Sequence, residues 1–110
     1  MSSNYDLEER MAALRQQVPG VMAHFGALRE EVSKDGVLSA KTKRLMMVAV
    51  SVAQRCEPCI RTHVKGAVEL GASRAELLET LGVPILMAGG PAAAYSATVV
   101  LPMLDELQVK

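Results

Sequence analysis

An uncharged run of 22 residues, Val83 to Leu104, is the feature that most limits how this 110-residue chain can fold. A run of that length is long enough to cross a bilayer. However, Gly89-Gly90-Pro91 interrupts it in the middle, and six of its residues are Ala or Ser, which lowers its hydrophobicity. A broken helix alone in lipid would leave backbone N–H and C=O groups without partners. We therefore expect no membrane span and predict that the run is buried in an interface between subunits.

Helix-start and helix-end signals divide the chain into about six helices, and no segment alternates with the period of a β-strand. Ser39 is a candidate N-cap for a helix over residues 40–53, whose apolar second half predicts burial on every side. Ser73-Arg74-Ala75-Glu76 has the pattern of a capping box, which predicts a helix through Leu81. The other predicted helices run from Leu7 up to Pro19-Gly20, from Val21 to Val32, from the cysteine pair to Leu70-Gly71, and from Pro91 to near Leu107. The prediction is an all-α, compact bundle in a single domain over residues 1–110.

Charge and composition argue against two classes of partner. Lys plus Arg equals Asp plus Glu at 12 each, and three aromatic residues without a basic stripe give no footprint for nucleic acid. The first ten residues, MSSNYDLEER, lack an apolar core after a basic start, so they do not resemble a signal peptide. We expect a cytoplasmic protein that binds neither nucleic acid nor membrane. Disulfides in that compartment are usually transient and catalytic.

The segment RCEPCIRTHVKGA, residues 55–67, holds both cysteines of the chain and one of its two histidines. If Cys56 or Glu57 caps a helix, Pro58 can occupy its first turn, where a missing N–H costs little. Cys59 then lies near the free amides and the positive end of the helix. Both features favour the thiolate over the thiol, so the spacing predicts a reactive cysteine.

A histidine lies on the same predicted helix face as the two sulfurs. His63 follows Cys59 by four residues, which puts its ring one turn up and within reach of that sulfur. Cys56 belongs to the same stripe, which continues through Gly66 and Ala67. Small residues at those two positions would let another helix approach closely and desolvate the cluster in part.

Two thiols and an imidazole in this arrangement can run a redox cycle. A thiolate attacks a hydroperoxide or a disulfide and becomes a sulfenic acid or a mixed disulfide. The second thiol displaces that product and closes a Cys56–Cys59 disulfide, which an external thiol reductant reopens. We predict Cys56, Cys59 and His63 as the catalytic residues, and the count of available ligands argues against a metal.

Other interpretations of these residues stay open at the level of sequence. The cysteine pair, His63 and the distant His24 could supply four zinc ligands, although zinc sites usually pair two CxxC-type hooks. The cysteines could also be small core residues, since free cysteine is often buried. Tyr95 either lines a pocket or is a buried tyrosine bonded to the backbone.

At these residues the sequence resembles the carboxymuconolactone decarboxylase superfamily, and within it the AhpD-like alkylhydroperoxidases. The resemblance covers Leu38 to Ser96, where the C-x-x-C-x-x-x-H motif, the LGAS-x-x-E turn and the GGP-A-A-x-Y segment occur in that order. It implies an all-helical homo-oligomer, commonly a trimer or hexamer, with peroxidase or disulfide reductase chemistry and no metal or organic cofactor. It also implies that Cys59 takes up the peroxide oxygen, that Cys56 is proton donor and resolving thiol, and that His63 belongs to the proton relay. The decarboxylases of the superfamily do without the cysteine pair, so lactone decarboxylation is not assigned.

One position departs from the pattern of the AhpD-like proteins. Their relays usually include a glutamate 12 residues before the first cysteine, and this sequence has Arg44 there. A guanidinium stays protonated and cannot act as a general base, so we expect Arg44 to pair with an acid at the surface. Glu30, Glu31 and Glu69 are candidates for the missing carboxylate. The departure motivates a second hypothesis, a non-catalytic oligomer that senses redox state or binds partners through a reversible disulfide.

Overall fold

The computed structural model describes residues 6–110, and within that range all regular structure is helical. The elements are α1 (Leu7–Gln17), α2 (Pro19–Ser33), α3 (Ala40–Ala53), α4 (Glu57–Glu69), α5 (Arg74–Ala88), α6 (Gly90–Tyr95), a π-helical turn (Ser96–Val100) and α7 (Leu101–Glu106). The last three follow one another without a break and form one long helix. The predicted all-α fold of about six helices is therefore confirmed. The chain divides into two compact units, Met1–Lys34 and Asp35–Lys110. The single domain over residues 1–110 stays a prediction.

The first unit contains the hairpin of α1 and α2. Asp6 caps α1 by accepting a hydrogen bond from the amide of Glu8 at 3.0 Å, and Pro19 opens α2 from its first position. Val21, Phe25 and Leu28 recur at helical spacing along α2 and are 67%, 50% and 59% exposed. The hairpin thus presents the apolar face that the periodicity predicts.

The second unit holds a continuous hydrophobic core. It is built by the helices from α3 onward, with α3 packed against both α4 and α5. Its largest fully buried side chains are Ile60, Leu77, Leu104, Val48, Val52, Val64 and Val100. This core fixes α4, the helix that begins at the cysteine pair, against its neighbours.

The predicted burial of α3 on every side is wrong. Val48 and Val52 are completely buried, whereas Met46 and Val50 are 51% and 54% exposed. The reason is that α4 and α5 cover only one side of α3. An apolar composition predicts that a helix is buried, but it cannot tell how many neighbours cover it.

Local capping signals are confirmed at both predicted N-caps. The Ser39 hydroxyl accepts a hydrogen bond from the Thr42 amide at 3.0 Å and starts α3. Ser73 and Glu76 form the reciprocal capping box of α5, with Glu76 N to Ser73 Oγ at 3.1 Å and Ser73 N to Glu76 Oε1 at 2.9 Å. Because these bonds join residues three apart, the sequence alone predicts them.

Two prolines lie inside helices that the sequence predicts to be shorter or regular. α5 continues past Leu81 and through the buried Pro84 to Ala88, and it ends where Gly89 adopts a φ of 77°. Pro102 follows the π-helical turn, in which the Leu101 amide donates to the Ser96 carbonyl five residues back. A wider turn relieves the clash of a proline ring with the preceding turn, so the helix continues.

The uncharged run from Val83 to Leu104 is divided between the core and the surface. Ala92, Val100 and Leu104 are completely buried in the core of the second unit. Val83, Leu86 and Met87 are 60%, 82% and 79% exposed on α5. The run therefore does not lie wholly in a subunit interface, because several of its residues pack into the chain's own core. None of the helices within residues 6–110 has the length and apolar character needed to span a bilayer.

Glu76 gives the fold an expected pH dependence. Its hydrogen bond from the Ser73 amide, and then its pairing with Lys41 Nζ at 3.0 Å, lower the pKa of the carboxyl below its usual 4.5. A depressed folded pKa stabilises the fold above the unfolded pKa, and this contribution is lost as pH falls through the folded value. We expect Glu76→Gln, which keeps the capping bond but removes the charge, to be less stable than the wild type near neutral pH. Denaturant unfolding should show the difference vanishing in acid, and a difference independent of pH would contradict this assignment.

Candidate active site

The cysteine segment begins α4, and Cys56 is its N-cap. The backbone of Cys56 is extended, with φ −108° and ψ 96°, and its Sγ accepts a hydrogen bond from the Cys59 amide at 3.3 Å. Pro58 takes the second helical position, where no intrahelical N–H bond is lost. The helix start predicted at the cysteine pair is confirmed, and the sulfur of Cys56 occupies the place that a serine oxygen takes in an ordinary N-cap.

Cys56 and Cys59 are joined in a disulfide, with their Cα atoms 5.2 Å apart. Both residues are half-buried. They are the only cysteines of the chain. Opening this one bond therefore releases every thiol that the protein has.

His63 lies on the same helix as the disulfide. α4 is continuous from Glu57 to Glu69, so the four-residue spacing from Cys59 places His63 one turn further along the same face. The residue is half-buried and its Nδ1 is shielded from solvent. The two sulfurs and the imidazole thus share one stripe of α4, while their catalytic roles stay predictions.

The face of α4 that adjoins the cysteine stripe anchors the helix in the core. Ile60, Val64 and Ala67 are completely buried. These residues recur at helical spacing and face the hydrophobic cluster to which α3 and α5 also contribute. The disulfide is therefore attached to a helix with a fixed position, which is what a site with defined geometry needs.

A strained residue connects α3 to the disulfide. Arg55 has a φ of 57°, a left-handed conformation that costs an L-residue roughly 1–2 kcal/mol. Its amide donates to the Val52 carbonyl at 3.0 Å, and the next amide, that of Cys56, donates to Ser51 at 3.2 Å. These bonds hold the sharp turn that carries the chain directly from the end of α3 to the sulfur of Cys56.

Within residues 35–110 Arg44 does not make the surface ion pair that the sequence predicts for it. Arg44 takes part in none of the ion pairs of this unit, which include Lys41–Glu76, Arg61–Glu57 and Arg74–Asp105. The Arg44 side chain is instead half-buried and lies across α4 at Gly66, where a Cβ would stand 2.7 Å from Cζ and closer still to Nη1. Arg44 thus turns inward because a glycine leaves room for it.

Local contacts account for several of the remaining candidates. His24 uses Nδ1 on its own helix, 2.7 Å from the Gly20 carbonyl, and Glu31 pairs with Lys34. Glu69 is exposed at the end of α4. Tyr95 is partly buried and packs against the hydrophobic core. Within residues 6–110 no three His, Cys, Asp or Glu side chains are grouped in a way that could hold a metal ion.

Two features of this region escape prediction from the sequence. The sequence predicts that Gly66 lets a neighbouring helix approach, and α3 does pack against α4, but the pattern does not predict that the Arg44 side chain of α3 lies against this glycine. Ser96 begins the π-helical turn and is 6% exposed, with no hydrogen bond to its Oγ among residues 6–110. The only local signal for that turn is the proline six residues later. The position of Arg44 against Gly66 depends on the packing of two helices.

Comparisons with known proteins identify the family of this chain and solved structures with a similar fold. Residues 19–101 match the Carboxymuconolactone decarboxylase family. A protein of that family from Legionella pneumophila, solved in its apo form, is 42% identical with a TM-score of 0.81, over 84% of this chain and 82% of that one. A family member from Thermotoga maritima, for which a role in the antioxidative response has been suggested, is 33% identical with a TM-score of 0.73, over 79% and 89%. An uncharacterized protein of Cupriavidus necator is 34% identical over 84% of this chain and 81% of its own length.

Proposed function

The chain belongs to the carboxymuconolactone decarboxylase family, and from that premise we propose that it is a thiol-dependent peroxidase or disulfide oxidoreductase of the AhpD-like kind. The observation that carries the proposal is the disulfide between Cys56 and Cys59 at the start of α4, with His63 one turn away. The suggested antioxidative role of the Thermotoga maritima relative is consistent with it.

In the proposed cycle the reduced Cys59 is the nucleophile. His63 accepts its proton, and the thiolate attacks one oxygen of a hydroperoxide, which breaks the O–O bond. Cys59 becomes a sulfenic acid, and the leaving alkoxide takes a proton and departs as an alcohol. One thiol is thereby oxidised by two electrons, and the hydroperoxide is reduced by two.

Cys56 then resolves the sulfenic acid. Its thiolate attacks the Cys59 sulfur, the S–O bond breaks, and the hydroxyl leaves as water while the disulfide forms. The Cys59 amide already donates to the sulfur of Cys56 in the oxidised state, and the same bond would stabilise negative charge on that sulfur after reduction. An external dithiol reopens the pair by two exchange steps. A reducing compartment, such as the cytoplasm, would supply it.

The test of this proposal is stoichiometric as well as catalytic. The fully reduced protein should consume one equivalent of hydroperoxide per chain and lose both free thiols, since the two cysteines are its whole thiol content. With excess dithiothreitol the consumption should continue over many equivalents. A reduced protein that keeps both thiols in the presence of hydroperoxide and of a small disulfide would refute the proposed function.

Self-association is part of the proposal. Val83, Leu86 and Met87 lie at positions i, i+3 and i+4 of α5 and form an exposed apolar face in a run without charge. We propose that a second copy of the chain covers this face, in a trimer or hexamer. Sedimentation should give the mass of such an oligomer for the wild type and a smaller species for Leu86→Glu. A monomeric wild type at micromolar concentration would contradict it.

A second function is favoured by Arg44, which stands where the related enzymes carry a relay glutamate. Without that carboxylate the disulfide could report redox state rather than turn over. In that case the dithiol and disulfide forms would interconvert, continuous consumption of hydroperoxide would be absent, and the sedimenting mass would change on reduction. Equal masses for the two forms would remove the basis for a sensor.

A further inference from the structure

Arg44 is a half-buried cation that has no counter-ion within its own unit, among residues 35–110. Its side chain crosses from α3 to α4 and lies over the buried Gly66. Partial removal of a guanidinium from water costs free energy unless hydrogen bonds or an opposite charge replace the lost hydration. A carboxylate bound beside the guanidinium would offset this cost.

The position of the guanidinium relates it to the reactive sulfurs. Gly66 follows Cys59 by seven residues on one continuous helix, which is close to two full turns and about 10 Å of axial rise. The two positions therefore lie on the same stripe, with His63 between them. A molecule that touches both would extend along α4 with its reacting atom at the disulfide and its charged end over Gly66.

We propose that Arg44 binds the carboxylate of the substrate, and that the protein acts on disulfides or hydroperoxides that carry a carboxylate about 10 Å from the reacting atom. This inference rests on the proposed function for the reaction and adds its specificity. A guanidinium presents a planar fork of donors that matches a carboxylate with two parallel hydrogen bonds. Since it stays protonated, Arg44 does not replace the relay glutamate but selects the charge of the substrate.

Binding to the oxidised protein tests the recognition without any reaction. The oxidised chain has no free thiol, so it cannot exchange with a disulfide ligand. Calorimetry would compare oxidised glutathione, whose carboxylates lie several ångströms from its sulfurs, with its carboxyl-esterified form. We expect the wild type to bind the free acid about tenfold to a hundredfold more tightly than the ester, the range of a charge-assisted pair.

Three variants test whether the preference for the free acid depends on the position of Arg44 against Gly66. Arg44→Gln should lose it because the charge is gone. Gly66→Ala should lose it with the charge intact, because the new Cβ displaces the guanidinium while alanine still suits a helix. Lys65→Gln is the matched control, since it removes one positive charge from an exposed position next to Gly66 on α4. It should keep the preference for the free acid. Circular dichroism would verify that each variant is folded.

The outcomes separate this inference from the proposed function. If the wild type binds acid and ester equally, or binds neither, Arg44 is not a carboxylate site. The same conclusion follows if Lys65→Gln loses the preference to the same extent as Arg44→Gln, because the effect is then one of overall charge. If the preference depends on Arg44 but the reduced protein fails to reduce either disulfide, the carboxylate site stands and the proposed reaction fails.

Discussion

Replacing Cys59 with serine will abolish the reduction of hydroperoxides and disulfides, with a loss of about a thousandfold or more in rate. The reason is that the thiolate is the nucleophile, and a serine hydroxyl does not ionise near neutral pH. The variant should also lack the Cys56–Cys59 disulfide and titrate one free thiol under all conditions. Peroxide consumption with excess dithiothreitol is the measurement.

Cys56→Ser is the matched variant, because it removes the other sulfur of the same pair. It should react once with hydroperoxide and stop at a sulfenic acid on Cys59, which a dimedone label would capture and mass spectrometry would locate. The reverse result, with the label on Cys56 in the Cys59→Ser protein, would exchange the two roles. The amide of Cys59, which donates to the sulfur of Cys56, would then be what selects the attacking thiolate.

Replacing Leu77 with alanine will destabilise the fold by about 2–5 kcal/mol. Leu77 is among the largest completely buried side chains, and it belongs to α5, which packs against α3. Its truncation removes buried apolar surface and leaves a cavity that the neighbouring helices close only in part. Such a loss is a large part of the stability of a typical domain, about 5–15 kcal/mol. Urea unfolding of the oxidised protein would measure it.

The adjacent leucine is the control for this prediction. Leu78 has the same side chain on the same helix but is 40% exposed, so Leu78→Ala should cost less than about 1 kcal/mol. Both variants change helix propensity equally, and the difference between them isolates burial. Similar losses for the two variants would mean that the core of the second unit is not centred on the side of α5 that carries Leu77.

Much of the candidate site follows from short-range rules. The spacing of Cys56, Cys59 and His63 predicts one face of a helix, and α4 is continuous across that spacing. The N-cap positions of Ser39 and Ser73 are likewise predicted from residues three apart in sequence. These features are accessible because an N-cap bond and an i, i+4 neighbour depend on a single turn of backbone.

The errors of prediction concern long-range packing. The sequence predicts a surface ion pair for Arg44 and complete burial for α3, whereas Arg44 lies against Gly66 and α3 is exposed on one side. The sequence also predicts that α5 ends before Pro84, because a proline is a local signal for a helix end, but burial of that proline in the core favours continuation. In each case the outcome depends on how one helix packs against others.

The amino-acid sequence by itself determined the helices, their caps and the placement of two sulfurs and an imidazole along one stripe. Only the tertiary structure decided which side of each helix is covered and where the charge of Arg44 lies. The physical reason is that hydrogen bonds within a turn join near neighbours of one chain segment. Arg44 and Gly66 are 22 positions apart in the sequence, and only the packing of α3 on α4 brings them together, which no local sequence pattern predicts.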